Sequence, residues 1–200
     1  MDVLFFRKIN MKKIIGKYLL KLLGWKLKIH GDPKVLDRCI LVVAPHTHND
    51  EYLLGNFAFW QLGKPLKIII KDAHTKAWYG GIVKALGGIG IDRSQRNDLV
   101  NFVANEFKKE DFALVITPEG TRSFVEKWRK GFYHMAMTAK VPIVLAAGDF
   151  KTKTIYLGYH LPYEKYSTMS YEEILDDFRN YFIAHEIHPK VKENWNPNFQ

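Results

Sequence analysis

Six consecutive residues, His46-Thr47-His48-Asn49-Asp50-Glu51, place two imidazoles and two carboxylates directly after an apolar run. Three uses follow from such a set. Imidazole with carboxylate suits zinc, which makes His46, His48 and Asp50 candidate ligands. One histidine oriented by one acid is a general base, because the acid fixes the tautomer and stabilises the imidazolium formed on proton uptake; here the histidine is His46 and its partner Glu51 or Asp50. The third use is local, with Asn49 or Asp50 capping the helix that begins at Glu51.

Spacing separates the first two. His46-x-His48-x-Asp50 matches the start of the HxHxDH signature of the metallo-β-lactamase superfamily, but Glu51 stands where its last histidine belongs. No later glycine-rich, histidine-bearing segment completes a binuclear shell. Two further segments bear on the base. Gly87-Gly88-Ile89-Gly90-Ile91-Asp92-Arg93 follows a helical stretch, and Ile116-Thr117-Pro118-Glu119-Gly120-Thr121-Arg122 follows a strand-like run. Each joins glycine, which permits close backbone approach to a ligand, to an arginine whose planar fork matches phosphate oxygens. Together they predict a phosphate site assembled from two loops.

In this order the segments resemble the glycerolipid acyltransferases of the lysophosphatidic acid acyltransferase type. The His-x4-Asp block is matched by His46 to Glu51, the Gly-x-x-x-x-Arg-like block by Gly88 to Arg93, and the Pro-Glu-Gly-Thr-Arg block by Thr117 to Arg122. The Val-Pro-Ile block is matched by Val141-Pro142-Ile143. The resemblance covers about residues 35 to 160. It departs from the family at Glu51, where aspartate is usual, and at His48, where serine is common.

The resemblance implies acyl transfer from acyl-CoA or acyl carrier protein to the hydroxyl of a lysophospholipid, 1-acylglycerol-3-phosphate foremost, without cofactor, metal or covalent acyl-enzyme. It makes His46 the base, Glu51 its partner and the Gly120 amide an oxyanion donor. Arg93 and Arg122 then hold the acceptor's phosphate, with Glu119 and Thr121 beside them. Lys130 and Gly131 extend that surface or simply start a helix. An amino-acid-based lysolipid is the alternative acceptor, and a metal-dependent hydrolase on the HxHxD segment the more remote alternative.

The positioning elements are an alternation of strands and helices. Apolar β-rich runs lie at 39–44, 66–70, 113–117 and 142–147, and 152–158 alternates like an edge strand. Helices are expected at 51–62, 76–87, 95–109, 128–139 and 170–184. This predicts a single layered α/β domain with a largely parallel central sheet, whose ligands gather beyond the carboxyl ends of its strands. At 200 residues, 47% hydrophobic and 26% charged, the chain suits one such core. The lone Cys39, in Arg-Cys-Ile-Leu-Val-Val, reads as a small buried hydrophobe, and His134 as a core residue.

Residues 1–30 form a basic segment, 31–185 the acyltransferase domain and 186–200 a polar, irregular tail. Within the first, residues 11–25 predict an amphipathic helix with Lys13, Lys17 and Lys21 on one side and Ile15, Leu19, Leu22 and Leu23 on another. That face covers the protein's own core or meets the headgroups of an anionic bilayer. The net charge of +9 calls for an anionic partner. With the resemblance, that partner is an anionic membrane surface, acyl carrier protein or coenzyme A phosphate rather than nucleic acid. No secretory signal or spanning segment is expected, which places the protein peripherally on the cytoplasmic face of the cell membrane.

Overall fold

The computed structural model describes residues 3–91 and 99–200, the side chains of 3–10 excepted. Seven strands form one sheet: β1 (Lys26–Ile29), β2 (Cys39–Val43), β3 (Leu66–Lys71), β4 (Gly88–Ile91), β5 (Ala113–Ile116), β6 (Ile143–Asp149) and β7 (Thr154–Leu161). Their order is β1-β7-β6-β2-β5-β3-β4. The five strands from β6 to β4 run parallel, and β7 turns back antiparallel on β6 with β1 parallel to it. The central strands are apolar throughout because both sheet faces are covered.

Helices cover the sheet on two sides. On one lie α1 (Val3–Leu22) and α2 (Asp50–Leu62), over a core of Leu20, Leu41, Phe59, Val115, Val144 and Leu157. On the other lie α5 (Leu99–Lys109), α6 (Gly131–Ala139) and α8 (Tyr171–Ala184), around Phe107, Phe112, Trp128, Phe132 and Phe178. The short helices α3 (Asp72–Lys76), α4 (Gly80–Ala85) and α7 (Tyr163–Tyr166) complete the set. The predicted layered α/β domain is therefore observed, with an N-terminal helix added to it.

Several elements differ from expectation. The predicted helix 76–87 is cut back to the short α4 (Gly80–Ala85), with a separate short helix, α3 (Asp72–Lys76), before it; Gly80 packs so closely on α3 that a Cβ would stand 2.2 Å from the Thr75 carbonyl oxygen. The predicted edge strand at 152–158 is covered by β1, whose Lys-Leu-Lys-Ile alternation turns Lys26 and Lys28 outward at the true edge. The Gly88–Ile91 segment, expected as a loop, is the opposite edge strand β4. His134 is exposed, since α6 buries Phe132, Met135 and Ala136 instead. Cys39 is fully buried, and that burial raises its thiol far above the ordinary range.

Helix α1 settles on α2 through its smallest residue. A Cβ on Gly16 would lie 2.5 Å from the Phe57 carbonyl oxygen and 2.7 Å from the Gln61 nitrogen, both rigid backbone atoms. Replacing Gly16 by alanine should therefore push the helices apart and lower unfolding free energy by about 1–3 kcal/mol, despite alanine's better helix propensity. Urea unfolding measures this, and an unchanged or raised midpoint would contradict the close crossing.

Candidate active site

The first block leaves the carboxyl end of β2, and the third leaves the carboxyl end of its neighbour β5. Adjacent parallel strands thus deliver His46 and Glu119 to one edge of the sheet. The turn after β2 closes around one carboxylate. Glu51 Oε1 accepts the backbone N–H of Thr47 at 2.9 Å and of His48 at 3.0 Å, and the Thr47 hydroxyl at 3.2 Å. Its Oε2 lies 2.7 Å from His46 Nδ1. Glu51 is 8% exposed, so these donors substitute for lost water. A carboxylate can only accept, which puts the imidazole proton on Nδ1 and leaves Nε2 as the basic atom.

Glu51, rather than Asp50, is therefore the partner of His46. Asp50 is turned toward Lys190, which holds its carboxyl below the usual range, with help from His48. His48 Nδ1 lies 3.1 Å from Asp50 Oδ1 and 3.2 Å from the Lys190 ammonium. The three candidate zinc ligands thus have other partners and do not converge. Among the described residues no group of three His, Cys, Asp or Glu side chains is placed to share a metal ion.

The third block supports the first from beneath. Glu119, 4% exposed, accepts the His46 backbone N–H at 3.0 Å through Oε1, and its buried Oε2 has no partner among the described residues. Burial pushes this carboxyl up to about 7, against the opposing effect of the His46 amide. Glu119 is thus buried and bonded to the backbone of the candidate base. Gly120 adopts φ +68° and its amide donates to the Thr117 carbonyl at 3.0 Å. The expected oxyanion donor is consequently engaged inside its own turn.

Arg122 is exposed and donates to the Asn49 side chain, joining the third block to the first. Thr121 is exposed and its hydroxyl accepts the Ser123 amide at 3.3 Å. Arg93 lies outside the described residues; its block begins on β4, three strands from β2, or roughly 14 Å across the sheet. Lys130 caps the start of α6, with its ammonium 4.7 Å from the Tyr171 ring centre. Two cations carried no sequence signal. Arg129 packs its guanidinium against Gly120, where a Cβ would stand 2.6 Å from Nε, and Lys190 reaches the first turn from the 186–200 segment.

An apolar cavity opens beside this constellation, between α2 and the sheet. Leu54, Phe59, Ile68, Val115 and Leu157 form walls, and its polar lining is His46, Glu51, Tyr52 and Thr117. Its volume of about 120 Å³ suits a slender apolar group next to the imidazole.

A family model described as Acyltransferase matches residues 26–147, well over half of the chain. The chain belongs to the acyltransferase family. Relatives include the 1-acyl-sn-glycerol-3-phosphate acyltransferases of Saccharomyces cerevisiae, 28% identical over 62% of this chain and 43% of that protein, and of Cocos nucifera, 28% identical over 77% and 48%. The chain thus spans less than half the length of these curated relatives. Its fold is also similar to the crystal structure of the 1-acyl-sn-glycerophosphate acyltransferase PlsC of Thermotoga maritima. There the TM-score is 0.58 at 16% identity, over 90% of this chain and 78% of the other.

The buried Glu119 should be visible in the pH dependence of stability. The unfolded group titrates near 4.5 and the folded one near 7, so the folded chain retains an extra proton between these values. Its contribution is complete below pH 4.5 and is lost as pH rises to 7, by about 3 kcal/mol in all. Glu119→Gln keeps an acceptor for the His46 amide without the titration. The difference in unfolding free energy between wild type and variant should shrink across that interval and then level off; parallel curves would contradict the assignment.

Proposed function

We propose that this chain transfers a fatty acyl group from acyl-CoA or acyl carrier protein to the hydroxyl of a lysophospholipid, with 1-acylglycerol-3-phosphate as acceptor and phosphatidic acid as product. The observation that carries this reading is the 2.7 Å contact of His46 Nδ1 with Glu51 in a family of acyltransferases. His46 Nε2 takes the hydroxyl proton as the oxygen attacks the thioester carbonyl. The tetrahedral intermediate collapses with cleavage of the carbon–sulfur bond, and the imidazolium returns its proton to the departing thiolate. The products are an ester and a free thiol, with the base regenerated, and no cofactor enters the balance.

The cavity beside His46 receives the acyl carbons nearest the thioester. Arg122, exposed next to Asn49, holds the acceptor's phosphate, and Arg93 joins it by family resemblance. Glu119 contributes by fixing the His46 backbone, a role different from direct acceptor binding. Replacing His46 by alanine should lower turnover by about 10²–10⁴-fold in a labelled acyl-donor assay with lysolipid acceptors. Glu51→Gln should lose a large part of the same factor while Glu51→Asp retains more. Full turnover in the His46 variant would end the general-base reading.

Helix α1 supports action at a membrane surface. Gly16 and Leu20 are buried against the protein, while Met11, Ile14, Ile15, Tyr18 and Leu22 are exposed on the opposite side, Leu22 at 83%. Lys13, Lys17 and Lys21 flank this stripe, an arrangement that suits anionic headgroups. Among the described residues no helix is long and apolar enough to cross a membrane. Peripheral attachment to the cytoplasmic face of the cell membrane follows from this reading. Joint replacement of Ile14, Tyr18 and Leu22 by serine should abolish sedimentation with phosphatidylglycerol vesicles while leaving the unfolding midpoint near wild type. Undiminished sedimentation would exclude the stripe as the contact.

A further inference from the structure

Transfer from an acyl thioester to a lysolipid brings two alkyl chains to one imidazole, and the cavity beside His46, about 120 Å³, is the smaller of two apolar spaces that meet at Leu54. A second groove lies on the other side of Leu54, which lines both. Its walls are Leu23, Leu53, Phe57 and Phe150, contributed by the segment after α1, by α2 and by the β6–β7 turn. It measures about 400 Å³, within the usual range for a small-molecule site.

The rim of this groove is cationic. Lys153 and Lys190 stand there, and the acid among its lining residues, Asp50, is paired with Lys190. Lys153 donates to the carbonyl of Leu23, another lining residue, at 3.2 Å, which fixes its ammonium at the groove wall. Lys190 sits on Asp50 while Arg122 sits on Asn49, so two cations grip neighbouring residues of the turn that carries His46. Leu23 and Leu53 are 45% and 47% exposed on the groove wall. A single-chain amphiphile in the groove thus meets apolar walls and, at Lys190, a cation bonded to Asp50 just after the turn that carries His46.

We propose that this groove binds the alkyl chain of the anionic acceptor lysolipid, and that Lys190 acts with Arg122 on its headgroup as a specificity residue. The occupant is a single-chain amphiphile with a negative head, because the walls are apolar and the rim carries two lysines against one acid. The proposal rests on the acyl-transfer reading above and adds to it the acceptor's path and a residue from outside the matched family region.

The test uses the full chain, a phosphate lysolipid short enough to remain monomeric, and the variants Leu53→Trp, which narrows the groove, and Lys190→Ala. Leu53→Trp should raise the acceptor KM about tenfold, the equivalent of about two methylenes denied burial, without changing the donor KM. Lys190→Ala should raise KM several-fold for the phosphate lysolipid but not for a zwitterionic choline lysolipid. Unchanged acceptor KM in both variants, or equal shifts in donor and acceptor KM, would overturn the groove while leaving acyl transfer standing. Vesicle sedimentation of Leu53→Trp separates weakened membrane contact from a blocked groove, because the latter raises KM for monomers with sedimentation intact. If wild type transfers no acyl group, the acyl-transfer reading fails on its own. Equilibrium binding of the same lysolipid to the three proteins then decides the groove, with tighter binding by wild type supporting it and equal binding ending it.

Discussion

One buried carboxylate organises the turn on which the proposed chemistry depends. Glu51 gathers two backbone amides, a hydroxyl and an imidazole nitrogen within six residues of chain, so the loop after β2 is folded around an acceptor rather than around an apolar side chain. Loss of that charge would leave several donors unpaired in a nearly closed space, each costing roughly 1–3 kcal/mol. The geometry of the base and the stability of the loop are consequently the same interaction. The extra methylene of glutamate relative to aspartate lets a residue in the first turn of α2 reach back to both the amides and the ring.

The sheet explains why this turn meets the third block. β2 and β5 are neighbours with Val42 opposite Ile116, so both blocks leave the sheet in register at the same edge. Glu119 then supports the His46 amide, and Arg122 reaches Asn49 across the gap. The 186–200 segment adds a third tie. The Val191 amide donates to the Thr47 hydroxyl at 3.3 Å, while farther along the Trp128 and Phe199 rings stack at 3.7 Å and the Trp128 amide donates to the Gln200 carbonyl at 2.7 Å. A segment whose regular structure is a short 3-10 helix, Lys192–Asn194, thus bridges the loops that carry the first and third blocks.

Much of this was legible in the residues, and the exceptions have physical causes. Central strands announced themselves because burial on both faces demands continuous apolar runs, whereas local chemistry left Glu51 and Asp50 both open as partners of His46 and the family resemblance pointed to Glu51. The Gly-Ile-Gly-Ile strand was hidden because glycine ordinarily marks a loop. Here its glycines admit close neighbours: a Cβ on Gly88 would stand 2.6 Å from Val83 Cγ1, and one on Gly90 2.2 Å from Thr75 Oγ1. β1 was obscured by its lysines, whose outward alternation is what a sheet edge requires. Lys190 had no local signature, since its partners, Asp50 and His48, are about 140 positions away and only the fold brings them together.

Which face of α1 packs inward also could not be settled by periodicity. A hydrophobic stripe predicts a cover but not its identity, and this helix has two, one packed on α2 and one exposed. The Gly16–Leu20 side is fixed by a backbone-to-backbone crossing that admits no side chain, whereas the Met11–Leu22 side faces outward beside lysines. Because α2 both supports that crossing and supplies Glu51, the helix bearing the outer stripe is packed directly on the helix holding the carboxylate, and the close fit at Gly16 makes that packing rigid.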